Sequence, residues 1–312
     1  MPLVLMLATL TDRRDFGEDW LLERKFDGER CVARKDGSEV RLKSRTAKDL
    51  TRTYPEVRAA VASQRNRKLL LDGEVVAFDG AQTSFTRLQQ RLGVTNPSPE
   101  QLIAYPVTFC VFDLLELDGD DLRDRPLLER RARLADAVVP STGLHLSEAW
   151  RGDSQQRFAQ ACRAGWEGLI AKRAQAPYVQ GRSRDWLKLK CVWEQEFVIG
   201  GYTDPAGSRT GFGALLVGYY QDGRLRYAGR VGTGYTGATL RDLGARVRGL
   251  AASASPFVDA RPIPRGTHWI RPELVAQIGF AEWTNDGRLR QPRFLGLRDD
   301  KRPREVVRER AR

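Results

Sequence analysis

The sequence has few cysteines, few lysines and no long apolar run, and each shortage narrows what the chain can be. Four cysteines, Cys31, Cys110, Cys162 and Cys191, stand far apart in 312 residues, so the paired spacing of a zinc ribbon or of a disulfide framework is missing. They are expected to be reduced core residues of a cytoplasmic protein. No stretch is long enough to span a bilayer. The apolar start Leu3-Val4-Leu5-Met6-Leu7-Ala8 lacks the basic leader of a signal peptide and soon becomes Thr11-Asp12-Arg13-Arg14-Asp15. Internal repeats and low-complexity tracts are absent. Of the 52 basic residues only nine are lysines; the rest are arginines, which do not lose their charge in a protein. Chemistry that needs a neutral amine therefore rests on very few positions.

What is present suits a basic, two-domain chain. Apolar residues make up 41% of the sequence, with seven Trp, twelve Phe and eight Tyr, enough for two cores. The net charge of +12 points to a polyanionic partner. Residues 1–191 hold 32 basic and 27 acidic side chains and residues 192–312 hold 20 and 13, so the smaller part is the denser in positive charge, as expected of one that closes over a nucleic-acid backbone.

Several short motifs carry chemistry. In Glu23-Arg24-Lys25-Phe26-Asp27-Gly28-Glu29-Arg30 the upstream alternation from Trp20 predicts a strand with Glu23 and Lys25 on one face. Asp27-Gly28 predicts a turn, and Arg30-Cys31-Val32-Ala33 the returning strand of a hairpin. A lysine amine attacks poorly while protonated, so a nearby arginine or a divalent metal must depress its pKa, and Arg30 is the nearby candidate. Leu69 to Phe78 reads as a strand interrupted by Asp72-Gly73-Glu74, and Val107 to Leu115 as an apolar central strand. Glu167-Gly168-Leu169 reads as a second acidic turn. In Trp186-Leu187-Lys188-Leu189-Lys190 the two lysines share one strand face with leucines behind, which suits a bound phosphate. Arg182 and Arg184 add donors just upstream. Ser84 to Leu92 and Leu127 to Val138 read as helices.

In this order the motifs resemble the ATP-dependent DNA ligases, within the lysine-dependent nucleotidyltransferases that also include RNA ligases and mRNA capping enzymes. The nearest likeness is to the ligase domain of bacterial end-joining (NHEJ) DNA ligases. It runs from Leu7-Ala8-Thr9-Leu10 to Phe294-Leu295-Gly296-Leu297-Arg298-Asp299-Asp300-Lys301. The resemblance implies an α+β fold: an adenylyltransferase (nucleotidyltransferase, ATP-grasp-like) domain with antiparallel sheets over residues 1–191, then an OB-fold β-barrel domain over 192–312. It implies that Lys25 takes AMP from ATP, that AMP passes to the 5′-phosphate of a nick, and that the 3′-hydroxyl displaces it. Lys188 and Lys190 would act at the phosphate, and Arg298, Asp300 and Lys301 would orient pyrophosphate. Glu74 and Glu167 match metal ligands for Mg²⁺ or Mn²⁺, with contact to the ribose hydroxyls as the other role open to Glu74. Glu23 is placed beside the exocyclic amine of adenine, where a carboxylate accepts from adenine and repels the carbonyl of guanine. Phe112 matches the aromatic that stacks on the base. Arg45, in Ser44-Arg45, matches a grip on the nick 5′-phosphate, and Arg182 a further DNA contact.

From Glu196 onward the texture changes to glycine-punctuated strands, Phe197 to Tyr202, Ala214 to Tyr220, Leu225 to Val231 and Phe280 to Thr284, with one helix over Ala238 to Leu250. That texture suits the small barrel the resemblance implies. The segment Cys191 to Gln195 is expected to act as a swivel, and the charged tail Asp299 to Arg312 to be partly mobile. The chain is expected to be a monomeric bacterial ligase at the nucleoid that acts on nicked double-stranded DNA. It would be either a minimal enzyme or a domain of a larger end-joining protein, recruited by a Ku-type end-binding protein. The rival readings are an RNA ligase or capping-type guanylyltransferase, and a non-catalytic DNA-binding adaptor.

Overall fold

Runs of alternating side chains build three main sheets, and the acidic and basic motifs fall on faces that those sheets turn inward. The computed structural model describes residues 4–309 apart from 192, 206, 208, 209, 261, 262 and 285. Residues 4–191 and 193–309 form two compact units. The fold is α+β, and among the described residues no helix is long and apolar enough to cross a membrane.

In the first unit one sheet runs in the order Met6–Leu10, Gly181–Lys190, Gly168–Arg173, Trp20–Arg24 and Ala149–Trp150. A second runs Leu144–Leu146, Thr108–Leu117, Lys68–Val76, Glu29–Asp36 and Glu39–Ser44, with Asp120–Asp121 on the edge of Thr108–Leu117. Pairing is antiparallel except where Met6–Leu10 meets Gly181–Lys190 and Leu144–Leu146 meets Thr108–Leu117. Three apolar clusters account for the layering. Phe16, Trp20, Leu22, Leu169 and Leu189 back the first sheet together with Ala161 of the helix Ser154–Arg163. Leu42, Leu71, Val75, Phe109 and Val111 back the second, under the helix Pro55–Ala62. Leu70, Phe112, Leu115, Tyr178 and Trp186 join the two sheets. Each such side chain contributes roughly 1.5–3 kcal/mol on burial.

The hairpin expected around Asp27-Gly28 does not form. Trp20–Arg24 belongs to the first sheet, and Glu29–Asp36 pairs over eight residues with Lys68–Val76 in the second. The chain crosses between sheets at 25–28 because the apolar faces of the two strands match different neighbours. Lys68–Val76 is continuous: Asp72, Gly73 and Glu74 all lie within it, with register shifts against Thr108–Leu117 that absorb the acidic residues. Gly73 fits there because a Cβ would come 2.5 Å from the Phe109 ring. The cysteines also depart from expectation. Cys31 and Cys110 are free and buried, but Cys162 and Cys191 are joined in a disulfide that ties the helix Ser154–Arg163 to the end of Gly181–Lys190. Spacing along the chain gave no hint of it, since the two residues meet only through the packing of that helix on the first sheet.

The second unit is an antiparallel sheet in the order Arg224–Val231, Leu215–Gln221, Trp193–Thr203, Thr267–Phe280 and Ala251–Ala252, with Arg293–Leu297 also on Thr267–Phe280. Among the described residues no continuous ladder closes it into a barrel; one isolated bridge, Thr233 to Arg293, lies just past the edge strand. Phe197, Ile199, Leu216, Val217 and Ile278 are fully buried in its core, and the helix Gly237–Arg248 adds Leu243 and Val247. Gln195, expected in a swivel, lies inside the strand Trp193–Thr203, so the connection narrows to the neighbourhood of Val192, which is outside the described residues. The tail is anchored as far as Glu309. Val307 bridges to Tyr220, and Gln195 binds Val307 O at 3.0 Å and Glu309 N at 3.0 Å.

Candidate active site

Lys25 follows directly on the strand Trp20–Arg24 and extends its pairing, its backbone N–H reaching Gly168 O at 3.0 Å. This hydrogen bond brings the lysine beside Glu167, the residue before Gly168. Lys25 Nζ lies 2.5 Å from Glu167 Oε1, in a site where the two side chains are 19% and 6% exposed. Glycine is required at two positions around this contact. Gly168 sits at φ +152°, where a Cβ would be 1.8 Å from Leu189 O, and at Gly28 a Cβ would be 2.2 Å from Val75 O. Burial pulls the Lys25 ammonium down, but the charge and hydrogen bond of Glu167 outweigh it, while Lys190 opposes; the net effect raises the Lys25 pKa above the ordinary lysine range. The cation that opposes Glu167 is thus Lys190. Arg30, expected in that role, is taken up elsewhere, donating to Asp72 at 2.6 and 2.7 Å and to Met6 O at 3.3 Å.

Register places the other motif residues on the same inward faces. Gly168 pairs with Lys190, Ile170 with Lys188 and Lys172 with Trp186, while Ile170 also pairs with Glu23, so Glu23, Lys172, Lys188 and Lys190 share one face of the first sheet. Leu189 is buried on the opposite face. In the second sheet Arg30 pairs with Glu74, on the face that carries Asp72. Asp72 also accepts from Tyr178 Oη at 2.6 Å, and these bonds fix the Arg30 guanidinium 4.6 Å from the centre of the Phe112 ring. Phe112 meets Trp186 edge to face at 6.0 Å. These contacts hold the Glu74 and Phe112 face against the lysine face.

Glu23, only 2% exposed, accepts from Lys172 Nζ at 2.8 Å and from Arg131 Nη1 at 3.0 Å. Neither partner was named from the sequence. Arg131 is in the helix Leu127–Ala137, and beside it Arg130 makes a fully buried bidentate pair with Asp113 at 2.7 and 2.8 Å. The signal available was a helix with two arginines in phase with its buried Leu127 and Leu134.

Of the remaining expected residues, Arg45 and Arg182 belong to the first unit. Ser44 ends the strand Glu39–Ser44, and its hydroxyl accepts from Lys48 N at 3.1 Å, closing the turn that presents Arg45. Arg182 is exposed on Gly181–Lys190, and donates to Ala8 O at 2.6 Å. Arg298, Asp300 and Lys301 belong to the second unit. Arg298 forms a buried bidentate pair with Asp300 at 2.8 and 2.9 Å, and Lys301 Nζ lies 3.1 Å from Glu196. Burial pushes the Asp300 carboxyl up, but Arg298 and Lys301 bring it below the usual carboxylate range.

As to a metal, the described residues contain no cluster of three or more His, Cys, Asp or Glu side chains able to cage one. Glu167 Oε2 is buried without a hydrogen-bond partner next to Lys25. A hard oxygen open beside a phosphate-binding face fits Mg²⁺ or Mn²⁺, which bind through one or two carboxylates and leave their other positions to water and substrate phosphates.

Residues 5–190 match the model of the ATP dependent DNA ligase domain, and residues 208–301 that of the ATP dependent DNA ligase C terminal region. The multifunctional non-homologous end joining protein LigD of Pseudomonas aeruginosa is 39% identical over 97% of this chain, and the corresponding protein of Mycobacterium tuberculosis 40% identical over 93%. The chain spans only 36% and 37% of the length of these relatives. A solved structure described as mycobacterial DNA ligase D complexed with ATP and MES superposes with a TM-score of 0.69 at 39% identity, covering 98% of both chains.

Proposed function

We propose, from the premise that this chain belongs to the ATP-dependent DNA ligases, that it seals nicks through an AMP bound to Lys25, with the residues around Lys25 in the roles that follow. The observation that carries the reading is the contact of Lys25 Nζ with Glu167 Oε1 at 2.5 Å on a face shared with Lys188 and Lys190. In the first step the Lys25 amine attacks the α-phosphate of ATP, a P–N bond forms, and pyrophosphate leaves. Lys25, whose Nζ lies 2.5 Å from Glu167 Oε1, gives up a proton to solvent before it attacks as the neutral amine. Lys188 and Lys190 stand on the same strand face as cations for the phosphate oxygens, where preorganised charge lowers the barrier. Glu167, with Glu74, would hold the divalent metal, which supplies charge neutralisation at the phosphate. Glu23 would accept from the adenine amine, Phe112 would stack on the ring, and Arg30, fixed by Asp72, would serve the nucleotide. Arg45 and Arg182 would hold the nick. Arg298, Asp300 and Lys301 would serve the pyrophosphate-releasing step. The AMP then passes to a 5′-phosphate, and the 3′-hydroxyl displaces it to form the phosphodiester.

Likeness to proteins named for non-homologous end joining supports a role in DNA end joining; we propose further that the chain acts as a monomer in a bacterial cytoplasm and is recruited by a Ku-type end-binding protein. The test is to incubate the protein with labelled ATP or GTP and Mg²⁺ or Mn²⁺ and then to supply nicked DNA or nicked RNA duplexes. ATP-dependent sealing of DNA is expected. Sealing confined to RNA strands, label taken from GTP in preference to ATP, or no covalent label at all would overturn the reading in favour of an RNA ligase, a capping-type enzyme or a binding adaptor respectively.

A further inference from the structure

Both oxygens of the Glu23 carboxylate are gripped by groups that the steps above leave without a role. Lys172 Nζ donates to Oε2 at 2.8 Å, and Arg131 Nη1 donates to Oε1 at 3.0 Å. The same Arg131 Nη1 donates to the backbone carbonyl of Phe112 at 3.2 Å, and Nη2 to the carbonyl of Ser147 at 2.5 Å. One guanidinium thus ties a carboxylate on the first sheet to the backbone of an aromatic residue on the second. Lys172 makes the same link from the other side, its ammonium 4.3 Å from the centre of the Phe112 ring and 4.2 Å from that of Trp186.

We propose that Arg131 and Lys172 are positioning residues for base selection, which fix the Glu23 carboxylate relative to the Phe112 ring so that a stacked adenine presents its exocyclic amine to Glu23. The inference rests on the reading of Glu23 and Phe112 as base contacts. Its physical content is an acceptor count. Each carboxylate oxygen has two acceptor sites. Arg131 and Lys172 fill one on each, Ser147 Oγ makes only a long contact of 3.5 Å to Oε2, and acceptor capacity remains for an amine. A carboxylate accepts hydrogen bonds and does not donate them. Burial draws the Lys172 ammonium below the ordinary lysine range, against the opposing pull of Glu23 and Asp113. Lysine in place of Arg131 would offer a point charge without the planar fork that spans Glu23, Phe112 O and Ser147 O.

The experiment measures enzyme–AMP formation in single turnovers with ATP and with purine riboside triphosphate, which lacks the 6-amino group. The wild-type chain is expected to prefer ATP by roughly ten- to a hundredfold, the range of a hydrogen bond to a charged group. Arg131→Met and Lys172→Met are expected to erase most of that preference by weakening ATP alone, through KM with kcat little changed, and Arg131→Lys to keep part of it. Thermal unfolding of each variant runs alongside, and if Arg131→Met fails to fold, Arg131→Lys and Lys172→Met carry the same ratio. A preference that stays at the wild-type value while both nucleotides slow equally would show that the two residues only support the fold, and would overturn the inference. If the wild-type chain itself does not distinguish the two nucleotides, the base-contact reading of Glu23 fails, and the inference falls with it.

Discussion

A lysine held 2.5 Å from a carboxylate is kept protonated, and that sets the pH behaviour of the first chemical step. The ion pair of Lys25 with Glu167 raises the lysine pKa, so its contribution to stability is full at neutral pH and is lost only as pH rises through that raised value. Reactivity has the opposite sign, because attack needs the neutral amine. Adduct formation is therefore expected to accelerate with rising pH. In Glu167→Gln, burial and Lys190 dominate with Asp27 opposing, so the acid limb of the profile is expected to move to lower pH even though the maximal rate is expected to fall with the loss of the proposed metal ligand. Rates of enzyme–AMP formation across a pH series check this, and a limb that stays in place would separate Glu167 from the titration of Lys25. At this scale the sequence exposed Lys25 and Glu167 through their flanking residues. It did not expose Lys172 and Arg131, because a lysine within an apolar strand and an arginine within a helix look the same whether they face solvent or a buried carboxylate.

The elements that matter most are the strands Trp20–Arg24 and Gly168–Arg173, whose pairing puts Glu167 next to Lys25, and Gly181–Lys190, which presents Lys188 and Lys190 on one face. Gly168→Ala would drive a methyl into Leu189 O. It is expected to destabilise the first unit by about 1–3 kcal/mol through overpacking and to abolish adduct formation, whereas Gly37→Ala, where a Cβ meets open space although φ is +58°, should leave the chemistry intact. Denaturant titration and labelling with ATP check both; an active Gly168→Ala would contradict the strand approach described here. The Cys162–Cys191 disulfide closes a loop over a sequence separation of 29, and chain entropy assigns such a closure on the order of 3–4 kcal/mol. Reduction is expected to lower the unfolding free energy of the first unit, and thiol titration of the unreduced, denatured chain to find two free thiols of the four. Finding four would contradict the bond. Elements with clean alternation or helical periodicity, such as Leu127–Ala137 and Leu215–Gln221, were legible in the sequence. The crossing at 25–28 was not, since Asp27-Gly28 encodes a local reversal while eight non-local pairs with Lys68–Val76 decide where the next strand goes. Thr267–Phe280 also escaped notice, because Arg271, Pro272 and Glu273 interrupt its apolar pattern near the middle.

For the whole molecule, the proposal divides labour between the units, and the steps of the reaction can be tested separately. Lys301, paired with Glu196 at 3.1 Å in the second unit, is expected to matter for release of pyrophosphate. Lys301→Ala should cripple enzyme–AMP formation while sparing the sealing of a nick that already carries 5′-adenylate. Equal loss in both single-turnover assays would instead assign Lys301 to the stability of its own sheet. The motif order along the chain was legible as a ligase from sequence. The partner of Lys301 was not, because the Glu196 carboxylate reaches it only through the folding of the third sheet. The central claim is that Lys25 is the nucleophile, and the most direct test is intact-mass and peptide-mapping mass spectrometry of the protein after incubation with ATP and Mg²⁺. The account expects a single AMP on the peptide containing Lys25, labile to acid and stable to mild base, and absent from Lys25→Ala and Lys25→Arg although both variants fold and bind nicked duplex. An AMP that persists in Lys25→Ala, or that maps to another residue, would contradict it.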